Sequence, residues 1–226
     1  MLTLKVLATG SSGNCYLLST EKETLILDCG IRLKDIKKGL NYDISRIAGV
    51  VCSHSHKDHS LSLKNFKNMG IKCFAPYEFG DVNTAHVKMG TFDITSFKLP
   101  HNGTHNSGFL IVVDDQKLLY MTDLEYCPYT FKKQQVNHIL IECNYQEEFI
   151  DVLSPNYKHK IKGHCSLDTC KNFVKASATD AIESVVLLHM GLESCYPDEC
   201  VNEVRKVATK ARVEYARKGL EIELKG

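Results

Sequence analysis

Residues 52–60, CSHSHKDHS, place three of the chain's ten histidines and one aspartate in a single short stretch, directly after the apolar run Ala48-Gly49-Val50-Val51. This juxtaposition limits the possible folds more than any other feature. His54 and His56 are separated by one residue, and alternate side chains of an extended segment point the same way, so both imidazoles can reach one cation. Asp58 and His59 follow where the chain must turn into the next helix, and that turn redirects them toward a second cation beside the first. Imidazole and carboxylate together suit zinc, iron or manganese. Two such ions about 3.5–4 Å apart form a clamp for hydrolysis.

A dinuclear site needs more ligands than this loop offers, and several later strands end in candidates. Lys98-Leu99-Pro100 stops at His101, Leu118–Thr122 stops at Asp123, and Val185–Leu188 stops at His189. A histidine or aspartate alone at a strand end is more often structural. Three at the ends of buried strands let a rigid sheet edge position metals.

The rest of the pattern predicts strands at Leu2–Ala8, Cys15–Ser19, Thr24–Asp28, Gly49–Cys52 and Lys72–Ala75. Further strands are expected at Phe92–Leu99, Gly108–Val113, Lys117–Thr122, His138–Cys143, Ser184–His189 and Leu220–Leu224. Helical spacing appears near Leu33–Leu40, Ser60–Met69, Leu167–Ala176 and Asp198–Arg212, while Tyr77–Gly90 is weakly patterned and open between a lid and a dimer arm. Strands first, then strands alternating with helices, predict two packed β-layers covered by helices.

With 226 residues, 43% of them hydrophobic, the chain can bury a sizeable core as an ordinary soluble protein. No apolar run approaches the roughly 20 residues of a membrane span. The start, MLTLKVLATGSSGN, reads as a strand and a turn, without the features of a signal peptide. Ten cysteines without a CxxC pair, scattered through apolar strands, predict reduced, mostly buried thiols and a cytoplasmic location. A second zinc site at Cys165, Cys170, Cys195 and Cys200 is not expected, because structural zinc prefers shorter spacing than C-x4-C. The net charge of +1 gives no global footprint for nucleic acid.

Taken together, TLILDCG (Asp28), SHSHKDH, LPH (His101), YMTD (Asp123) and LLHM (His189) resemble a metallo-β-lactamase-fold hydrolase, in the family's order and over most of the chain. LATGSSGN, PHNGTHNSGFLI, ILIECNY and KIKGHCS narrow the resemblance to the YycJ-like branch, phage-borne relatives included. The resemblance implies an α/β fold, a four-layer αβ/βα sandwich, formed by one domain over residues 1–226. It also implies two divalent metal ions, zinc or manganese with iron acceptable, and nuclease activity on DNA or RNA through a hydroxide bridging the metals. One ion would take His54, His56 and His101, and the other Asp58, His59 and His189. Asp123 would bridge them, and Asp28 would support the histidine loop or be a plain turn residue. A homodimer is common for this fold.

His164 in KIKGHCS is not one of the family's ligands. Beside metals it would touch a phosphate oxygen or protonate the leaving oxygen, and otherwise it would cap the helix beginning at Ser166. The basic stretch Lys158–Lys162 is either a solvated helix face or a phosphate guide. His105 reads as an ordinary loop residue, and His86, His138 and His159 as surface or structural. Several other activities fit less well. A cyclic nucleotide phosphodiesterase of the phage counter-defence kind is the main alternative, favoured by the near-neutral charge. A thiolester hydrolase and a metal-stabilised binding protein without turnover follow. A di-iron oxygen-handling protein would place glutamate where Ser55 stands.

Overall fold

Strict alternation in LTLKVLA buries Leu2, Leu4 and Val6 and turns Thr3 and Lys5 outward, so the first segment forms a strand with one core face. The computed structural model describes residues 1–224. With elements numbered in chain order, one sheet holds β1 (Leu2–Ala8), β2 (Cys15–Ser19), β3 (Thr24–Leu27), β4 (Ile47–Val51), β5 (Cys73–Phe74) and the closing β13 (Glu221–Leu224), in the order β13-β1-β2-β3-β4-β5. Helices α1 (Leu33–Gly39), α2 (Lys57–Ser60) and α3 (Leu63–Asn68) belong to this half. The second sheet holds β6 (Thr84–Met89), β7 (Phe92–Leu99), β8 (Asn106–Val113), β9 (Gln116–Met121), β10 (His138–Glu142), β11 (Ser184–Leu188) and β12 (Arg212–Tyr215), in the order β12-β11-β10-β9-β8-β7-β6. Between β10 and β11 lie α4 (Tyr157–Gly163) and α5 (Leu167–Ser177), and α6 (Pro197–Val207) precedes β12.

The inner faces of the two sheets meet in one apolar cluster that includes Leu4, Val6, Leu25, Leu27, Phe109, Ile111, Tyr120, Leu140 and Leu188. The outer face of the first sheet packs Leu17, Ile26 and Val50 against Ile36, Leu63 and Phe66 of its helices. The outer face of the second packs Ile139, Ile141 and Val185 against Phe173, Val174, Val201 and Val204. Helix, sheet, sheet and helix thus form four layers. Strands buried on both faces, such as IAGVV, HILIE and SVVLL, are near-continuous apolar runs for this reason.

Strand direction positions the site. β3 and β4 are parallel, as are β9, β10 and β11. β7 is antiparallel to β8, and β8 to β9, so β7 also runs with β9. The carboxyl ends of β3, β4, β7, β9, β10 and β11 therefore deliver Asp28, the histidine loop, His101, Asp123, Glu142 and His189.

Three expectations change. Tyr77–Gly90, in which the weak pattern marks no element, contains most of a short 3-10 turn at Pro76–Phe79 and the edge strand β6, half exposed along its length, which weakens its apolar pattern. Ser60–Met69 is the last residue of α2 followed, after a break, by the separate α3; at the break Ser62 donates its hydroxyl to the Ile31 carbonyl at 2.6 Å. The last helix stops at Val207, and Arg212–Tyr215 continues as a strand parallel to β11. The ten cysteines are free, and eight of them are buried.

Gly30 shows how tightly the histidine loop is seated. A Cβ there would lie 1.6 Å from the Asp58 carbonyl oxygen, while the Gly30 amide donates to the Asn14 carbonyl at 2.9 Å. Gly30→Ala is expected to destabilise the protein by about 3 kcal/mol, at the top of the overpacking range, because backbone rather than a flexible side chain must yield. Urea unfolding of the variant checks this, and a loss under about 1 kcal/mol would contradict it.

His138 at the start of β10 is fully buried between Ser184 Oγ (2.9 Å) and Gln116 Oε1 (2.8 Å). Burial lowers its pKa from 6.5 to about 4. The folded state binds the proton less well than the unfolded state, so this stabilisation is complete above the unfolded pKa and is lost as pH falls toward 4. Between pH 7 and pH 5 the group should cost about 2 kcal/mol. Urea unfolding at the two pH values should show a loss larger in the wild type than in His138→Gln by about 2 kcal/mol; equal losses would contradict the assignment.

Candidate metal centre

Six imidazoles and three carboxylates converge where the two sheets meet. The rings of His54 and His59 lie 4.2 Å apart, those of His54 and His56 4.6 Å, and those of His54 and His101 4.8 Å. The chain of rings continues from His59 to His189 at 5.9 Å and from His189 to His164 at 5.3 Å.

Three groups of potential ligand atoms fall within 4.8 Å of one another: His54, His56 and His101; His54, His59 and Asp123; and Asp123, Glu142, His164 and His189. The first is the set expected for one ion. The other expected set, Asp58, His59 and His189, does not meet that spacing as a group of three. Asp58 belongs to none of the three groups, though its carboxylate lies 3.4 Å from His59 Nε2. Asp123 belongs to two groups, with Oδ1 3.3 Å from His59 Nε2 and hydrogen-bonded to His189 Nδ1, and Oδ2 4.0 Å from His54 Nε2.

Surrounding groups fix which imidazole nitrogens face inward. Asp28 Oδ2 accepts from His59 Nδ1 (2.7 Å), the Ser53 hydroxyl (2.9 Å) and the Tyr120 hydroxyl (2.6 Å). Ser53 Oγ, having given its proton to Asp28, accepts from His54 Nδ1 at 3.0 Å. His101 Nδ1 donates to the Gly163 carbonyl at 2.7 Å. His54, His59 and His101 therefore all present Nε2 lone pairs to the cluster. The Asn14 amide lies 2.9 Å from His59 Nε2, and the Nε2 atoms of His54 and His189 are buried with no partner among the described residues. Neutral nitrogens aimed inward beside ionised carboxylates form a donor set that fits a divalent cation of the zinc or manganese type.

Electrostatics agree with this pattern at His54 and His101, whereas at His59 the carboxylates favour a proton that a bound cation would displace. Burial, reinforced by the neighbouring imidazoles, holds His54 well below its usual pKa and keeps it neutral. Burial also lowers His101. At His59 burial is outweighed by the Asp123 and Asp28 carboxylates, which raise its pKa. Asp123 is buried, yet His189 and His59 hold it well below the carboxylate range.

Backbone geometry also converges here. Asp28 (φ 55°), Asp123 (φ 51°) and His189 (φ 46°) all adopt the left-handed conformation just past a strand end. Aspartate and histidine tolerate this region better than most residues, and the bend turns each side chain off its strand. Two buried asparagines hold the bends: Asn106 Nδ2 donates to the Asp123 carbonyl at 2.6 Å and Asn144 Nδ2 to the His189 carbonyl at 2.8 Å.

Sequence reasoning missed Glu142. It is fully buried at the end of β10, and it accepts from His164 Nδ1 (2.7 Å), the Leu124 amide (3.0 Å) and the Cys165 amide (3.1 Å). The signal was available: HILIE is an apolar strand ending in a carboxylate, the pattern that singled out Asp123. His164 is the residue after α4, and it is Ser166 that caps α5. Burial opposes charge on His164, but Glu142 outweighs it and the pKa rises to about 9.

The remaining histidines belong to none of the three ligand groups. His105 sits in the wall of a neighbouring groove, His86 pairs with Asp93 at 2.6 Å on the surface, and His159 meets Asn102 at 3.2 Å. Among the described residues no metal-ligand group includes a cysteine. No helix there is long and apolar enough to cross a membrane.

Comparison with known proteins agrees with this architecture. Residues 8–72 match the model of the metallo-beta-lactamase superfamily. The chain is 22% identical to exodeoxyribonuclease YycJ of Bacillus anthracis, over 85% of this chain and 84% of that protein. It is 24% identical to exodeoxyribonuclease WalJ of Streptococcus pneumoniae, over 84% and 81%. Its fold resembles that of YhfI from Bacillus subtilis, with a TM-score of 0.73 at 18% identity over 98% of both chains. It also resembles the short form of human tRNase Z, with a TM-score of 0.63 at 15% identity over 99% of both chains.

Proposed function

We propose that this chain, a metal-dependent hydrolase of the metallo-β-lactamase superfamily, hydrolyses phosphodiester bonds in DNA. The observation that carries the reading is His164, held beside the cluster by the buried Glu142 carboxylate. A departing sugar alkoxide needs a proton, whereas a thiolate leaves without one, so a protonated imidazole at this position favours a phosphodiester over a thiolester. DNA as substrate is supported by the two exodeoxyribonucleases, which align over more than four-fifths of the chain.

His54, His56 and His101 would hold one divalent cation, and His59, Asp58 and His189 a second, with Asp123 shared. Bound there, the cations would supply Lewis-acid charge and water acidified enough to act at neutral pH. The chain's own residues do the rest. Asp28 and Ser53 lock the tautomers of His59 and His54, and the Gly163 carbonyl locks that of His101. Glu142 keeps the His164 imidazole charged and oriented, ready to give a proton to the leaving oxygen. We assign this chemistry to one cytoplasmic domain.

Purified protein loaded with manganese or zinc should release nucleotides from end-labelled DNA, and chelation should abolish the release. Cyclic nucleotides assayed in parallel should be poorer substrates. Turnover of cyclic nucleotides without any cleavage of DNA would overturn the assignment.

A further inference from the structure

Beyond His101 the cluster opens into a groove of about 1050 Å³. We propose that this groove stacks the unpaired bases of a DNA strand whose phosphate lies at the metal centre, an inference that rests on the phosphodiesterase reading above. Continuity is the first argument. His101 and Thr104 line the groove, and Thr104 Oγ1 is 3.5 Å from His56 Nε2, so a strand leaving the cluster on this side enters it directly.

Aromatic lining is the second argument. Tyr77, Tyr126 and Tyr129 line the walls, and Tyr126 and Tyr129 are 49% and 40% exposed. Tyr129 is oriented by its own packing: its ring meets Phe97 edge-on at 5.8 Å, and Phe97 in turn packs on Phe131 at 4.9 Å. A tyrosine ring fixed in place with exposed surface is a stacking platform, and every base offers it a π-face. Bases in a duplex are already stacked on their neighbours, so the groove selects an unpaired strand.

Charge is the third. Lys98 is paired with Asp81, and Glu125 adds an acid to the lining. Lys162 lines the groove without an ion pair among the described residues. The lining is thus close to neutral, unlike a track that binds a polyanion by charge. It fits a flat uncharged base on tyrosine, with one lysine left for a flanking phosphate.

Fluorescence anisotropy tests this on the metal-loaded protein, with a short phosphorothioate oligothymidylate compared with its base-free counterpart. Wild type should prefer the base-bearing strand by about tenfold or more, the scale of stacking one base. Tyr126→Ala/Tyr129→Ala should reduce the preference to within about twofold, and Tyr126→Phe/Tyr129→Phe should keep it, because the rings carry the effect. The readout is a ratio, so partial loss of folded protein cancels, and the two single alanine variants carry the test if the double variant does not fold. Equal binding of the two strands by wild type overturns the proposal, as does a preference that survives in the alanine variants. A cyclic mononucleotide that displaces the oligonucleotide with equal affinity also overturns it. Cleavage of unmodified DNA, measured alongside, separates the two readings. Cleavage without base preference removes the groove assignment alone, whereas base preference without cleavage removes the phosphodiesterase reading and leaves the groove as a nucleobase site.

Discussion

Asp123→Asn is expected to lower kcat/KM for DNA by about a thousandfold, the upper scale for losing one group that stabilises charge in a water-poor site. Asp123 is buried and reaches both halves of the cluster, contacting His59 and His189 through Oδ1 and facing His54 through Oδ2. Asparagine has nearly the same shape and tolerates the left-handed backbone at this position, so the variant removes charge while keeping the bend held by Asn106. The loss of activity should come with bound metal falling from two ions to one per chain, measured by elemental analysis. Activity within tenfold of wild type would show that Asp123 is not shared between cations.

His164→Ala is expected to lower kcat on DNA by about 10²- to 10⁴-fold, the usual contribution of a positioned acid, with KM and metal content little changed. His164 lies beside the cluster, and its Nδ1 proton is engaged by Glu142, so its other nitrogen is the one available to a leaving oxygen. Glu142→Gln should show a similar but smaller loss, because it discharges the carboxylate that keeps the imidazole protonated while an amide still fills the space between the Leu124 and Cys165 amides. A readout that separates acid catalysis from mere support is the leaving group. A diester that expels 4-nitrophenolate needs no proton, so both variants should lose far less on it than on DNA. Equal losses on the two substrates would make His164 a structural residue.

The sequence made the frame of this site legible because chemistry and strand pattern coincide in it. SHSHKDH follows a buried strand, and LPH, YMTD and LLHM each end one, so the order of the site could be read before any fold was known. What could not be read was long-range. Asp28, Ser53 and Tyr120 form one hydrogen-bonded unit only because the two sheets pack face to face. The left-handed bends at Asp28, Asp123 and His189 leave no local trace, since none of them is a glycine. Glu142 was legible and was overlooked, because a lone glutamate at a strand end resembles any solvent-facing acid until β10 is seen buried between β9 and β11. In the fold, the edge strand β6 and the strand β12 were the failures. The half-exposed β6 has no continuous apolar pattern, and the helix before β12 ends without a glycine or proline to mark it.

Anomalous diffraction from crystals grown with manganese or zinc tests the central claim most directly. The account predicts two peaks within the histidine–aspartate cluster, one bounded by His54, His56 and His101, the other by His59, Asp58 and His189, with Asp123 between them. A structure without metal at this cluster, or with His101, Asp123 and His189 turned away from residues 54–59, would contradict it.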